Sequence, residues 1–178
     1  FFMQLGLLGV FTAQDGIMFY IFWEFTLLPI FLILYWFGAK ENNKVLFKFF
    51  IYTLVGSLAM LLSFIALGIN AESFAYQDLV NVQLSQKMAC WIMSGFLLAF
   101  AIKIPLFPFH TWQPATYTSS PMAGTMLLSA LMLKMALYGM MKWMLPLTSE
   151  GIEVMKWPVI ILGAIGIVYG AVIGKIGL

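Results

Sequence analysis

Apolar residues run almost unbroken along this chain, in stretches separated by short polar clusters. The stretches cover residues 1–13, 16–37, 47–69, 88–109, 122–145 and 157–176. A helix needs about 20 apolar residues to cross a hydrocarbon core roughly 30 Å thick, and all but the first approach or exceed that length. None shows the period-2 alternation of a barrel strand. The pattern predicts an all-α polytopic membrane protein with about six transmembrane helices in a single membrane domain, residues 1–178. Between them lie Lys40-Glu41-Asn42-Asn43-Lys44 and the polar connections 70–87, 110–121 and 148–156. The chain opens on Phe1 without a positively charged leader and closes on Gly174-Lys175-Ile176-Gly177-Leu178 directly after an apolar run. Both ends read as cuts within a longer protein.

Composition narrows the class. Of 178 residues, 63% are hydrophobic and 9% are charged, against about 25% charged in a soluble domain. That excludes a soluble enzyme, and high hydrophobicity excludes a disordered chain. A net charge of +2 gives no footprint for nucleic acid. The single cysteine, Cys90, rules out an intrachain disulfide, and with one histidine, His110, no multi-ligand metal or haem centre is expected. We expect no cofactor in this chain; its chemistry must come from carboxylates, amines, hydroxyls and internal water.

All nine basic residues are lysines. Alternate connections share a side of the membrane, so Lys40, Lys44, Lys48 and Lys175 fall on one side and Lys87, Lys142 and Lys156 on the other. The lysine bias sets orientation and predicts a cytoplasmic Lys40–Lys48 loop. Lys142, one turn from Pro146, is expected to extend to the interface.

Three charges fall well inside spans: Glu24, Lys103 and Lys134. Each costs about 2.5–3.5 kcal/mol on insertion scales, and intramembrane ionisable residues default to function. Glu24 lies roughly 12 Å along its helix from Gly16, near mid-membrane. A structural ion pair between Glu24 and Lys103, or a Lys134 satisfied by a helix carbonyl, is the plain alternative. An apolar residue would serve packing better, so ion or proton transfer is favoured.

Lys103 is followed by Ile104-Pro105-Leu106-Phe107-Pro108. Each proline lacks an N–H, which deprives the Ala101 and Ile104 carbonyls of their helical partners. Broken backbone at membrane depth survives only when buried in protein or lining a wet cavity, and a broken helix is a device of transporters. The polar stretch His110-Thr111-Trp112-Gln113-Pro114-Ala115-Thr116-Tyr117-Thr118-Ser119-Ser120-Pro121 reads equally as a water-path lining, built from its hydroxyls and the His110 imidazole, or as a surface loop with an interfacial Trp and Tyr.

These motifs match a known family. Phe22-Trp23-Glu24-Phe25-Thr26-Leu27-Leu28-Pro29 resembles the fifth helix of the antiporter-like subunits of respiratory complex I. Lys103-Ile104-Pro105-Leu106-Phe107-Pro108-Phe109-His110-Thr111-Trp112-Gln113-Pro114 resembles their broken seventh helix and following loop. Leu133-Lys134-Met135-Ala136-Leu137-Tyr138-Gly139 resembles the eighth helix of the M type in particular.

The resemblance implies the first inverted five-helix repeat of such a subunit plus one further helix. It also implies a proton-translocating role in NADH:quinone oxidoreductase, with no redox chemistry in this chain itself. Glu24 and Lys103 would be an interacting pair and Lys134 the central relay residue. Implied partners are other complex I membrane subunits on both sides, the lipid bilayer, protons and internal water, in a bacterial inner membrane. Ala115 stands where the family usually has aspartate, and Tyr117 where some members have histidine. Two rival readings share these features: a cation/proton antiporter or membrane-bound hydrogenase subunit, and a purely structural membrane scaffold.

Overall fold

The computed structural model describes residues 1–39 and 43–176. Eight helices follow in order: α1 (Phe2–Thr12), α2 (Gly16–Phe37), α3 (Asn43–Ala71), α4 (Tyr76–Val80), α5 (Gln86–Lys103), α6 (Gln113–Ser119), α7 (Met122–Leu147) and α8 (Ser149–Ile176). A 3₁₀ turn at Phe109–Trp112 joins α5 to α6. There is no strand among the described residues, so the all-α expectation holds. By length and apolarity α2, α3, α7 and α8 can each cross a membrane, which makes this a multi-pass membrane chain. The shorter α1 and α5 pack among them.

Local signals explain the starts. Asp15 caps α2, its Oδ1 accepting from the N–H groups of Ile17 at 2.9 Å and Met18 at 3.0 Å, which satisfies two otherwise orphaned donors. Ser85 caps α5 by accepting from Met88 N–H at 3.4 Å. Mean burial then falls on one face: Phe19, Trp23, Leu27, Ile30 and Leu34 of α2 meet Phe49, Met60 and Phe64 of α3, Phe96 and Phe100 of α5, and Trp143 of α7 in one aromatic-rich core. Phe64 stacks edge-on to Phe96 at 4.9 Å and to Trp143 at 5.2 Å, the arrangement aromatic quadrupoles favour.

The connections sort to two ends as alternation requires. At one end Ala39 N–H donates to the Ser119 carbonyl at 2.9 Å, and Lys48 Nζ to the Thr111 carbonyl at 2.9 Å. At the other, Gly16 N–H reaches the Phe74 carbonyl at 2.9 Å and Tyr76 N–H the Gln14 carbonyl at 2.8 Å. Lys40, Glu41 and Asn42, the tip of the loop expected to be cytoplasmic, lie outside the described residues.

Several boundaries differ from expectation. The third span begins at Asn43 and ends at Ala71. The fourth stops at Lys103 instead of running to 109, because Pro105 and Pro108 end the ladder. Residues 148–156, expected as a connection, are helical almost throughout, and Glu153 and Lys156 pair at 2.6 Å one turn apart on an exposed face of that helix. Within α7 the segments Leu128–Met132 and Met140–Met144 are π-helical.

Lys142 is half-buried and reaches the α1–α2 connection at the end of the bundle, donating to the Ala13 carbonyl at 2.7 Å, with the rings of Tyr76, Tyr138 and Trp143 at 5.6, 5.7 and 5.6 Å from Nζ. Tyr138 Oη donates to the Phe11 carbonyl at 2.8 Å. A cation and a hydroxyl thus close the carbonyl end of α1, where the helix dipole is negative and the last carbonyls lack partners.

Candidate functional site

The site forms where α2, α3 and α5 meet below the break after α5. Lys103 is the last residue of α5 and is buried, at 4% exposure. Its Nζ lies 5.4 Å from the centre of the Trp23 ring on α2, a distance at which an aromatic face attracts a cation. Glu24, the next residue of α2, is half-buried, and its neighbours are Tyr20 on its own helix, Ser57 on α3 and Lys103. Ser57 is itself buried and donates to the Leu54 carbonyl at 2.8 Å. A hollow of about 310 Å³ lined by Ile21, Phe25, Leu28 and Phe50 opens beside the carboxylate.

Glu24 and Lys103 are therefore within electrostatic reach of one another but do not touch. The Glu153–Lys156 bridge is the one ion pair among the described residues. Two opposite charges in an apolar bundle, coupled but unjoined, can each change partner without first breaking a close contact.

The break beside Lys103 has a different hydrogen-bond account from the expected one. Pro105 removes the donor that should serve the Ala101 carbonyl, yet Leu106 N–H steps back one residue and takes it at 2.8 Å. That step leaves the Ile102 carbonyl, which the indole Nε1–H of Trp112 fills at 2.8 Å. Trp112 is 2% exposed and packs on Phe49 at 5.2 Å. The surface-loop reading of residues 110–121 is thus corrected: Trp112 and Thr116 are buried and α6 lies against α3.

Replacing Trp112 with phenylalanine keeps the packing but strands the Ile102 carbonyl. We expect a loss of about 1–3 kcal/mol, read as a lowered midpoint in detergent-solubilised thermal unfolding, with Trp112→His restoring part of it.

His110 stands beyond the break, half-buried in the 3₁₀ turn. Its ring lies 5.8 Å from Phe107 and 4.8 Å from Tyr169 on α8, with Nε2 3.3 Å from the Tyr169 hydroxyl. Nδ1 is buried without a protein partner. Lys134 is on an outward face of α7, exposed beside Leu131 and Leu137, and its Nζ donates to the Ser129 carbonyl at 2.9 Å. Ser129 belongs to the π-helical segment Leu128–Met132, and π-bulges mark functional positions often. The structure thus joins Glu24 with Lys103 and leaves His110 and Lys134 on separate sides of them. The contribution of Trp23, Ser57 and Trp112 was not legible: none is charged, so none stands out against an apolar run. The one available signal was the donor that two freed carbonyls demand.

Comparison with known proteins bears on this arrangement. Residues 13–176 match the family described as NADH:quinone oxidoreductase/Mrp antiporter, TM. The chain is 37% identical over 96% of its length to NADH-ubiquinone oxidoreductase chain 4 of Metridium senile. It is 36% identical over 94% to NADH-quinone oxidoreductase subunit M of Rhodobacter capsulatus, and 35% over 93% to subunit M of Escherichia coli (strain K12). It spans 35% of the length of each of these relatives.

The fold superposes on a chain of respiratory complex I from Thermus thermophilus with bound NADH, with a TM-score of 0.88 and 35% identity over 95% of this chain and 37% of that one. It also superposes on a chain of an archaeal membrane-bound sulfane sulfur reductase complex, with a TM-score of 0.68 and 26% identity over 79% of this chain and 23% of that one. The chain, with its coupled Glu24 and Lys103 and its broken helix, belongs to the NADH:quinone oxidoreductase/Mrp antiporter transmembrane family.

Proposed function

We propose that this chain is the part of a proton-translocating subunit of NADH:quinone oxidoreductase that carries the first steps of an intramembrane relay, in a bacterial inner membrane with the Lys40–Lys48 loop cytoplasmic. It forms part of a single membrane domain, and other membrane subunits of the complex flank it. The observation that carries the reading is Lys103, buried at a helix break with its Nζ over Trp23 and electrostatically coupled to Glu24. A carboxylate facing an ammonium favours the charged amine, and burial without that carboxylate favours the neutral one. Swinging Glu24 toward or away from Lys103 therefore holds or frees a proton. Lys134 takes it next through internal water, and His110 beyond the break supplies a group suited to exchange with the aqueous side.

Magnitudes are compatible. Moving one charge against 150 mV costs roughly 3.5 kcal/mol, at about 2.3 per 100 mV. Opposite charges 4–8 Å apart at an effective dielectric of 20 interact by about 2–4 kcal/mol. The energy to drive the switch comes from redox chemistry in other subunits, and this chain needs no cofactor of its own.

The second reading, a subunit of a cation/proton antiporter, is favoured by the breadth of the matched family. Ion dependence separates the two. With the full protein assembled in its complex and reconstituted in vesicles, we expect NADH to drive proton uptake at the same rate in sodium and in sodium-free potassium buffer. Sodium-coupled proton flux that needs no NADH overturns the oxidoreductase reading.

A further inference from the structure

Helices α3 and α5 approach so closely that Gly95 admits no side chain: a Cβ there would lie 2.2 Å from Ser63 Oγ and 2.9 Å from the Ala59 carbonyl oxygen. That contact leaves a groove of about 380 Å³ on the outer side of the two helices. Ala59, Ser63 and Gly95 form its floor, and Leu62, Trp91 and Leu98 its walls. The surface is apolar even where hydroxyls stand. Ser63 Oγ turns to the Ile92 carbonyl at 3.0 Å and Ser94 Oγ to the Cys90 carbonyl at 2.7 Å, so neither offers its proton to the groove.

Two features distinguish this groove from the general lipid-facing surface. The first is height. Its α5 wall runs from Met88 to Leu98, about 15 Å at helical rise, half of a hydrocarbon core roughly 30 Å thick. A helix of another protein crossing the membrane here would need the whole height, whereas a phospholipid chain occupies one leaflet and needs half. The second is what stands at the mouth. Lys87 is exposed and precedes Trp91 by four residues, so it shares the stripe of α5 that forms the wall. Trp91 is 70% exposed, and tryptophan settles at headgroup level. A cation above an apolar slot one leaflet deep complements an anionic headgroup above an acyl chain.

We propose that the α3/α5 groove seats one anionic phospholipid, its acyl chain between Leu62 and Leu98 and its phosphate on Lys87. The site is separate from Glu24 and Lys103 and does not depend on the proton relay.

The test uses the full protein in its assembled complex, reconstituted in phosphatidylcholine vesicles doped with a phospholipid carrying an acyl-chain diazirine. Phosphatidylglycerol and phosphatidylcholine probes are compared, and labelled residues are mapped by mass spectrometry after illumination. We expect labelling concentrated on Leu62, Trp91 and Leu98, about fivefold heavier with the anionic probe, the preference one lysine near an anionic headgroup confers. Lys87→Gln abolishes that preference and Lys87→Arg keeps it; both lie at an exposed position and leave the fold intact. Labelling spread evenly over exposed α8 residues such as Ile167 and Val168 overturns the proposal. So does an anionic preference that survives Lys87→Gln, or the absence of groove labelling because another polypeptide covers it.

Discussion

Replacing Glu24 with glutamine in the assembled enzyme is expected to lower NADH-driven proton uptake at least tenfold. Glutamine keeps the size of the side chain beside Ile21, Phe25 and Phe50, so the hollow stays filled and only the charge is lost. That charge is what Lys103 senses. On the proposed relay, removing an interaction of about 2–4 kcal/mol from a step that lifts a proton through roughly 3.5 kcal/mol leaves little of the drive, and each 1.4 kcal/mol is about a factor of ten. Glu24→Asp keeps the charge on a shorter stem and should retain a measurable fraction. The check is acidification of inverted vesicles followed with a pH-sensitive dye, with NADH oxidation by the same vesicles measured in parallel. Uptake at the native rate in Glu24→Gln sinks the relay and favours a structural scaffold.

What the sequence made legible follows from what hydropathy measures. The spans α2 and α3 stand out because transfer from water dominates wherever some 20 apolar residues adjoin. Glu24 and Lys103 stand out for the converse reason, as charges where charge is costly. Hydropathy says nothing of hydrogen bonds a polar segment makes with itself. Residues 113–120 look like a loop, yet Thr116, Ser119 and Ser120 turn their hydroxyls onto the carbonyls of Trp112, Ala115 and Thr116 at 2.6, 2.7 and 2.5 Å. This back-bonding hides their polarity and lets α6 lie against α3. The Ser149 end of α8 escaped notice likewise, since charges spaced one turn apart continue a helix as well as they end one.

The site shows a similar division. A charge inside an apolar run is visible one residue at a time, but the Trp112 indole serving Ile102 depends on a backbone step at Leu106 that no local pattern announces. The π-helical segments of α7 are equally silent, because shifting a ladder by one residue leaves composition and periodicity nearly unchanged. Lys134 was readable as a charge in a span, while its outward aspect here was not. Helix period assigns it a face but not what that face meets.

Lys103→Met gives the sharpest separation between a functional and a structural lysine, because the two roles predict opposite signs. Methionine has nearly the length of lysine and suits an apolar site bounded by the Trp23 ring, with sulfur–aromatic contact replacing the cation. If Lys103 served packing, its removal would destabilise the bundle. On the relay reading it is a charge held in an apolar place at a cost. Replacing a buried ion pair with well-packed apolar groups is commonly neutral or stabilising by about 1–4 kcal/mol, and Lys103 makes no close ion pair among the described residues whose breaking would offset this. We therefore expect Lys103→Met to unfold at the same or a higher temperature in detergent while NADH-driven proton uptake falls below a tenth of native. Glu24 loses a neighbour but is only part-buried, so its carboxylate is not sealed in the core by the change. Thermal unfolding and proton uptake on the same preparation decide the matter. A lowered midpoint with pumping preserved would make Lys103 a strut, and a raised midpoint with pumping lost identifies a residue kept for its proton at the expense of stability.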